Sequence, residues 1–283
     1  RESSRCSDAG LAALAWDRAG LESTARLLGD FALAAWDGRT RRLAVARGPL
    51  SMRALYLKRD SREVAFCSTM TGLLAFTADR ALDEEALLSV LAGGTYVGTA
   101  GSLFRGIRLV PQGQAILVDV DAERQIGLWN PPDRPGRWRS MDECAEALRT
   151  ELERAVSAQL RRAGGRVAAH LSGGRDSGAV AATAASLLRG CGEELLAPAS
   201  LPVDEGGLAA TTAALHPNIR HRTCRAGPED YVALQRELQA VHGAPLLTPS
   251  NLPWWAHINR QAAADGATVL LTGQVGNFSI SAG

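Results

Sequence analysis

Residues 167–190 constrain this chain more than any other stretch. An apolar run, Val167-Ala168-Ala169-His170-Leu171, leads directly into Ser172-Gly173-Gly174-Arg175-Asp176-Ser177, and a small-residue segment follows from Gly178 to Leu188 before Gly190. A short apolar run bounded by glycine reads as a buried strand, and the segment after it reads as a helix from about Gly178 to Leu188. A strand–bend–helix unit of this kind belongs to an open α/β sheet, where ligands bind at the carboxyl ends of the strands. The helix N-terminus there presents backbone N–H groups and about half a unit of positive charge. Gly173 and Gly174 let the backbone approach an anion closely and take up left-handed torsions, and Ser172 and Ser177 offer hydroxyl donors. Asp176 would repel phosphate, so its natural task is to hold Mg²⁺, which neutralises the phosphates in turn. The lysine of the GxxxxGK[ST] loop is missing, and so is GxGxxG spacing.

The surroundings support a parallel sheet. Leu195–Leu201 and Thr268–Thr272 read as strands, and 207–215, 229–241 and 254–264 read as helices. Strands alternating with helices imply helices on both faces of the sheet. Upstream, Ser140 with Glu143 is a capping-box pattern, and Leu148, Leu152, Val156 and Leu160 mark one helix face.

The first part of the chain reads differently, as β-rich. Phe31–Asp37 and Arg42–Ala46 flank Asp37-Gly38-Arg39-Thr40, a hairpin signal. Leu55–Leu57, Val64–Cys67 and Ala115–Val120 are further strand candidates, with a short helix over Asp83–Leu91. Pro131, Pro132, Pro135 and Gly136 fall in the stretch 130–139, which resists both helix and sheet and marks a linker. Two domains follow, over 1–130 and 140–283. The chain begins at Arg1 and stops at Gly283 just after a strand pattern, so the first domain is expected to be N-terminally incomplete and the second C-terminally incomplete.

Composition excludes several classes. Thirty-one basic and thirty acidic residues give a formal net charge of +1, which offers no field for a nucleic acid or a membrane surface. The five cysteines are scattered without a CxxC pair, which argues against zinc or a disulfide framework and fits a reducing, cytoplasmic setting. No apolar run approaches the length of a membrane span.

The string Ser172-Gly173-Gly174-Arg175-Asp176-Ser177 resembles the SGGxDS loop of the ATP pyrophosphatases. Leu28–Asp37 is similar to the G-x-F-A-F-A-L-W-D stretch of class II glutaminase domains, and Ala46–Tyr56 to the R-D-P-L-G-x-x-P-L-Y stretch. That order of domains resembles the asparagine synthetase family, which includes lasso-peptide cyclases and β-lactam synthetase. The resemblance implies a class II glutaminase-like α+β domain followed by an adenine nucleotide alpha hydrolase-like α/β domain. It implies ATP and Mg²⁺ as cofactors, with Leu171, Ser172, Gly173, Gly174, Asp176, Ser177, Leu201 and Gly273 at the ATP site. Leu271–Asn277 is similar to the family's L-x-G-E-G-A-D motif, so Asp176 and Asn277 are the implied metal ligands. The implied reaction is AMP-forming: a small-molecule or peptide carboxylate is adenylated, and an amine displaces AMP to leave an amide. Alternatives are a lasso-peptide or β-lactam-type cyclase and a non-catalytic nucleotide-binding module.

The chain departs from the family pattern in four places. The family's N-terminal cysteine nucleophile has no counterpart at Arg1, and Cys6 stands in no glutaminase motif, so the catalytic nucleophile is unassigned. Gly48, Ser51 and Ala54 replace an Asp, a Gly and a Pro, which suggests a relaxed or inactive glutaminase domain. Gln274 and Asn277 replace acidic residues, which weakens the expected metal clamp. The downstream part of the synthetase domain is absent. His170, on the strand before the loop, reads as a packed histidine, and Trp254-Trp255 as a helix start against the core.

Overall fold

The computed structural model describes residues 7–77, 79–92, 101–130, 138–161, 163–201, 207–225, 231–243, 252–274 and 276. The chain separates into two compact units. One comprises Arg1–Pro135 with Gln235–Thr248, the other Gly136–Leu234 with Pro249–Gly283.

The N-terminal unit opens with helices α1 (Asp8–Ala19) and α2 (Leu21–Ala25). The sequence reading found neither; α1 is apolar from Leu11 to Trp16 without a break, so its apolar residues mark no single helix face. Ser7 caps α1, its Oγ accepting from the Gly10 amide at 3.2 Å. Four strands, β1 (Ala32–Asp37), β2 (Arg42–Arg47), β6 (Gln114–Val118) and β7 (Glu123–Gly127), form an antiparallel sheet in the order β1-β2-β6-β7. A second antiparallel sheet has the order β4-β3-β5, from β3 (Tyr56–Arg59), β4 (Val64–Cys67) and β5 (Ile107–Leu109). Leu43, Val45, Ile116 and Val118 of the first sheet and Leu57 of the second share one buried cluster with Leu55 and Val110. Strand side chains alternate between faces, so Tyr56 and Ile107 turn the other way. They meet Met70 and Leu73 of helix α3 (Met70–Phe76). Helix α4 (Glu84–Leu91) starts at Asp83, which caps the Ala86 amide at 3.0 Å.

The expected hairpin is present, but Gly38 does not make its turn. Residue Asp37 pairs with Arg42, leaving a four-residue loop whose left-handed residue is Arg41 at φ 54°. The Asp37 carboxylate holds the bend, accepting from Thr40 Oγ1 at 2.8 Å and the Arg39 amide at 2.9 Å. These bonds favour its charged form and lower its pKa, the Thr40 hydroxyl most of all.

The second unit begins with α5 (Met141–Leu160), capped by Ser140, whose Oγ accepts from the Glu143 amide at 3.1 Å. The Glu143 carboxylate returns to the Arg139 amide at 2.7 Å, one residue earlier than a capping box requires. Strands β8 (Arg166–Ala169), β9 (Leu195–Leu201), β10 (Ile219–Arg225) and β11 (Ala267–Leu271) build a parallel sheet in the order β10-β9-β8-β11. Helices α6 (Arg175–Arg189) and α7 (Leu208–Ala214) follow β8 and β9, and α8 (Tyr231–His242) and α9 (Leu252–Ala264) separate β10 from β11. Val167, Ala169, Leu195 and Ala197 point into one core with Ala181, Ala184, Ala185 and Leu188 of α6 and Val156 of α5. Ala168 faces the opposite way by strand alternation and is fully buried, as are Ile258 and Ala262 of α9 to within 3% exposure. Helices therefore cover both faces. Alanine recurs on the buried side of α6 because a small residue lets a helix approach the sheet closely.

Among the described residues, no helix is long and apolar enough to cross a membrane. The proline-rich stretch expected as a linker lies, over 131–137, outside the described residues.

Candidate functional site

Strand β8 ends at Ala169, and the chain reaches α6 through only five residues, His170 to Gly174. The His170 amide donates to the Leu271 carbonyl at 2.8 Å and the Leu171 amide to the Pro198 carbonyl at 3.4 Å, so neighbouring strands on both sides anchor the approach to the bend. Leu171 is fully buried beneath it. The bend therefore lies at the carboxyl edge of the sheet, and β8 has a partner on either side.

Helix α6 starts at Arg175, three residues ahead of the sequence expectation. Arg175, Asp176 and Ser177 are its first turn, and the first intrahelical bond runs from the Gly178 amide to the Gly174 carbonyl at 3.1 Å. The amides of Arg175 and Ser177 precede that bond and have no acceptor within the helix. Asp176 sits where an acidic side chain favours helix initiation.

Gly174 takes φ −72° and ψ 149°, not the left-handed torsions expected of it. Its smallness matters instead. A Cβ at Gly174 would stand 3.2 Å from Ser172 Oγ, tighter than ordinary van der Waals contact. The two serines close the bend between them. Their hydroxyls lie 2.8 Å apart, the Ser172 amide donates to Ser177 Oγ at 3.2 Å, and the Gly174 amide donates to Ser172 Oγ at 3.1 Å. Ser177 is buried, while Ser172, Gly173, Gly174 and Asp176 are half-exposed.

The turn after β11 lies along this bend. A Cβ at Gly273 would come within 2.5 Å of the Ser177 nitrogen and 2.6 Å of the Asp176 carbonyl carbon. The Gly276 amide donates to the Gly273 carbonyl at 3.2 Å, closing the turn. A Cβ at Gly276 would fall 2.7 Å from each oxygen of the Asp176 carboxylate. Gln274, between them, is exposed. The structure thus brings together Leu171, Ser172, Gly173, Gly174, Asp176, Ser177 and Gly273. Leu201 ends β9, five positions past Leu196, the last β9 residue paired with β8, and its side chain and all of Asn277 lie outside the described residues. The contact of Gly276 with Asp176 had no sequence signal beyond the glycine itself. It joins residues 100 positions apart, and only the pairing of β11 with β8 brings them together.

The donor set suits a magnesium-bound nucleotide. Backbone amides of the first turn of α6 and the half-exposed Ser172 hydroxyl are neutral donors for phosphate oxygens, the buried Ser177 hydroxyl being engaged within the bend, and one carboxylate adjoins them. Among the described residues no cluster of three His, Cys, Asp or Glu side chains forms a metal site of its own. Any metal here would therefore share its coordination with the ligand's oxygens.

His170 is packed beside the bend, and burial pushes its pKa below the ordinary 6.5. The folded state resists protonating it, so the unfolded state binds the extra proton first. The stability it contributes is whole above about pH 6.5 and is lost as pH falls from there towards its folded value. Denaturation between pH 5 and 8 should therefore show a steeper loss of stability on acidification for the wild type than for His170→Asn.

In the N-terminal unit the segment 47–53 carries the glutaminase-like pattern. Arg47 is 5% exposed, and its guanidinium donates to three carbonyls: Arg53 O at 2.7 Å, Val110 O at 2.7 Å and Ser51 O at 2.8 Å. Ser51 Oγ donates to Asp30 Oδ1 at 2.8 Å, and the same carboxylate oxygen accepts from the Met52 amide at 3.1 Å. A Cβ at Gly48 would lie 3.1 Å from the Gly29 carbonyl and 3.1 Å from the Phe31 ring, so an aspartate has no room there without displacing its neighbours. The substitutions at 48 and 51 are therefore built into the packing. Cys6 lies outside the described residues.

Residues 2–129 match the glutamine amidotransferase domain model, and residues 147–278 match the asparagine synthase model. The chain belongs to the asparagine synthetase family. Within that family it resembles Asparagine synthetase [glutamine-hydrolyzing] 3 of Bacillus subtilis, 28% identical over 68% of this chain and 31% of that protein. It is also similar to Amidase chry2 of Gibberella zeae, 29% identical over 60% of this chain and 25% of that protein. The chain thus spans about a quarter to a third of the curated relatives it matches. The solved NAD⁺ synthetase of Burkholderia pseudomallei is 22% identical, covers 46% of this chain and 69% of its own, and has a TM-score of 0.31, too low to add to the fold described above.

Proposed function

We propose that this protein is an ATP-dependent carbon–nitrogen ligase that adenylates a carboxylate and forms an amide. The observation that carries the reading is the bend 172–177 at the carboxyl edge of the parallel sheet, with Asp176 and Ser177 in the first turn of α6 and Gly273 packed beside them. The α6 amides, that of Ser177 among them, and the Ser172 hydroxyl would bind the triphosphate of ATP, the Ser177 hydroxyl would brace the bend, and Asp176 would carry Mg²⁺, with Asn277 offering a neutral oxygen. Bound Mg²⁺ supplies charge neutralisation along the phosphates. Leu171 and the end of β9 at Leu201 would flank the nucleotide.

In the proposed reaction a carboxylate oxygen bonds to the α phosphorus, and the bond to the bridging oxygen breaks to release pyrophosphate. An amine then attacks the acyl carbon and AMP leaves. The protein's own contribution is orientation and preorganised donors at the triphosphate.

The decisive assay combines purified full-length protein with ATP, Mg²⁺ and a panel of carboxylic acids and amine donors. AMP and pyrophosphate should appear in equal amounts and depend on the acid. ADP with orthophosphate would overturn the reading, and ATP binding without any release would leave a nucleotide-binding module. A cyclase of the lasso-peptide or β-lactam type is favoured over a glutamine-dependent enzyme by the tight packing at Gly48, where the glutaminase-pattern aspartate would have to push back the Gly29 carbonyl and the Phe31 ring. Cyclisation draws its amine from the substrate and needs no glutamine. Adding glutamine should then leave the rate unchanged.

A further inference from the structure

We propose that Arg175 is a phosphate-binding residue: its guanidinium neutralises part of the triphosphate charge at the bend, a share that this chain does not leave to a further metal ion. The inference rests on the ATP-ligase reading and deepens it.

Arg175 is the first residue of α6, directly after Gly174 at the close of the bend. Every Cα–Cβ bond of an α-helix leans toward the N-terminus, so a long side chain at the first position extends beyond the helix end. That end lies at the carboxyl edge of the sheet, where the amides of Arg175 and Ser177 have no acceptor within the helix. Arg175 is exposed, and among the described residues its guanidinium makes no ion pair or hydrogen bond. Arg220 and Arg222 of β10, by contrast, are spent on Glu194 at 2.6 Å and Asp265 at 3.0 Å. Asp176 is the next residue, but positions i and i+1 of a helix do not face each other, so its carboxylate does not cancel the guanidinium.

The fold gains nothing from a cation at this position. The helix dipole already places positive charge there and disfavours a base, and an exposed side chain adds no core packing. What the position does offer is an anion partner. A triphosphate carries several negative charges, and the segment 172–177 has one carboxylate with which to hold a metal ion. Gln274 and Asn277 stand where the family pattern is acidic and bring no charge to hold another. Arginine stays charged across the usual pH range, and its planar fork matches two phosphate oxygens at once. Arg175 thus supplies as a fixed charge what a further metal ion would supply by binding.

The test measures ATP affinity by calorimetry, with Mg²⁺ and with a chelator, in full-length wild type, Arg175→Met and Arg175→Lys. Arg175→Met should weaken ATP binding by about 10–100-fold in chelator, the effect of losing a hydrogen bond between charged groups, and by less with Mg²⁺, which shares the neutralisation. Arg175→Lys keeps the charge without the fork and should recover part of the loss. Two controls exclude a merely structural role. The melting temperature of ligand-free Arg175→Met should equal or exceed that of the wild type, because a cation leaves a helix N-terminus. Adenosine, which has no phosphate, should bind both proteins alike. Wild-type ATP affinity in Arg175→Met overturns the inference, and so does an equal loss for ATP and adenosine or a loss confined to the carboxylic acid substrate. Wild type without any ATP affinity overturns the ligase reading itself, which keeps the two failures apart.

Discussion

Asp176→Asn is expected to leave the protein folded and to reduce pyrophosphate release by about 100-fold or more at fixed ATP and Mg²⁺. Asparagine keeps the shape of the side chain and one carbonyl oxygen, so its contacts along the Gly273–Gly276 turn are retained. What disappears is the negative charge. In the first turn of α6 that charge is worth only about 0.3–1 kcal/mol to the helix. To a metal ion held otherwise by phosphate oxygens it is the one negative charge of the segment 172–177, and Gln274 and Asn277 supply none. The sign of one control follows from the same argument. Removing a carboxylate next to phosphates relieves repulsion, so ATP affinity measured with a chelator should hold steady or rise. If Asp176→Asn releases pyrophosphate at the wild-type rate, Mg²⁺ is not carried by this residue. A parallel loss of affinity with and without metal would mean that Asp176 acts through the fold of the bend.

The second large effect falls in the other unit. Arg47→Met should destabilise the N-terminal unit by about 2 kcal/mol, counting the orphaned buried carbonyl of Val110 at roughly 1–3 kcal/mol, the Arg53 carbonyl being open to water. Methionine replaces most of the aliphatic stem, so packing changes little. The guanidinium, however, satisfies the carbonyls of Arg53, Val110 and Ser51. Among the described residues, Ser51 O keeps a second donor, Gln112 Nε2 at 2.8 Å. Arg47→Lys should recover only part of the loss, because an ammonium is a point donor and cannot span three carbonyls fixed by the fork of arginine. Burial lowers the Arg47 pKa, but arginine stays charged throughout the usual pH range, so the effect should be independent of pH. Urea denaturation, read as the first unfolding transition, measures it. A midpoint for Arg47→Met equal to that of the wild type would show that water replaces the guanidinium without cost.

Arg47 also illustrates how a motif residue changes meaning in three dimensions. In sequence it is the arginine of a glutaminase-like string, with no role of its own assigned. In the folded unit its three donors are spent on main-chain carbonyls, one of them Val110, which is 63 residues away. Gly48 and Ser51 read as losses from that string, yet each fits its neighbours, Gly48 lying close against the Phe31 ring and Ser51 donating to the Asp30 carboxylate.

The sequence by itself determined the alternation of strand and helix from residue 140 onward, the bend at 172–177 and the change of period between the two halves. These are local facts, written in runs of apolar residues, glycines and a capping serine, and each is decided within about fifteen neighbouring positions. It missed α1 because an unbroken apolar run, Leu11 to Trp16, marks no single helix face, and it did not show that the left-handed residue of the first hairpin is Arg41, in a loop that Asp37 bends through its own hydrogen bonds. Only the tertiary structure decided that Gly273 and Gly276 stand against Asp176, and that Arg47 faces carbonyls from three separate positions. Parallel strands are neighbours in space without being neighbours in the chain, so what their carboxyl ends bring together is fixed by strand order, which no local pattern records.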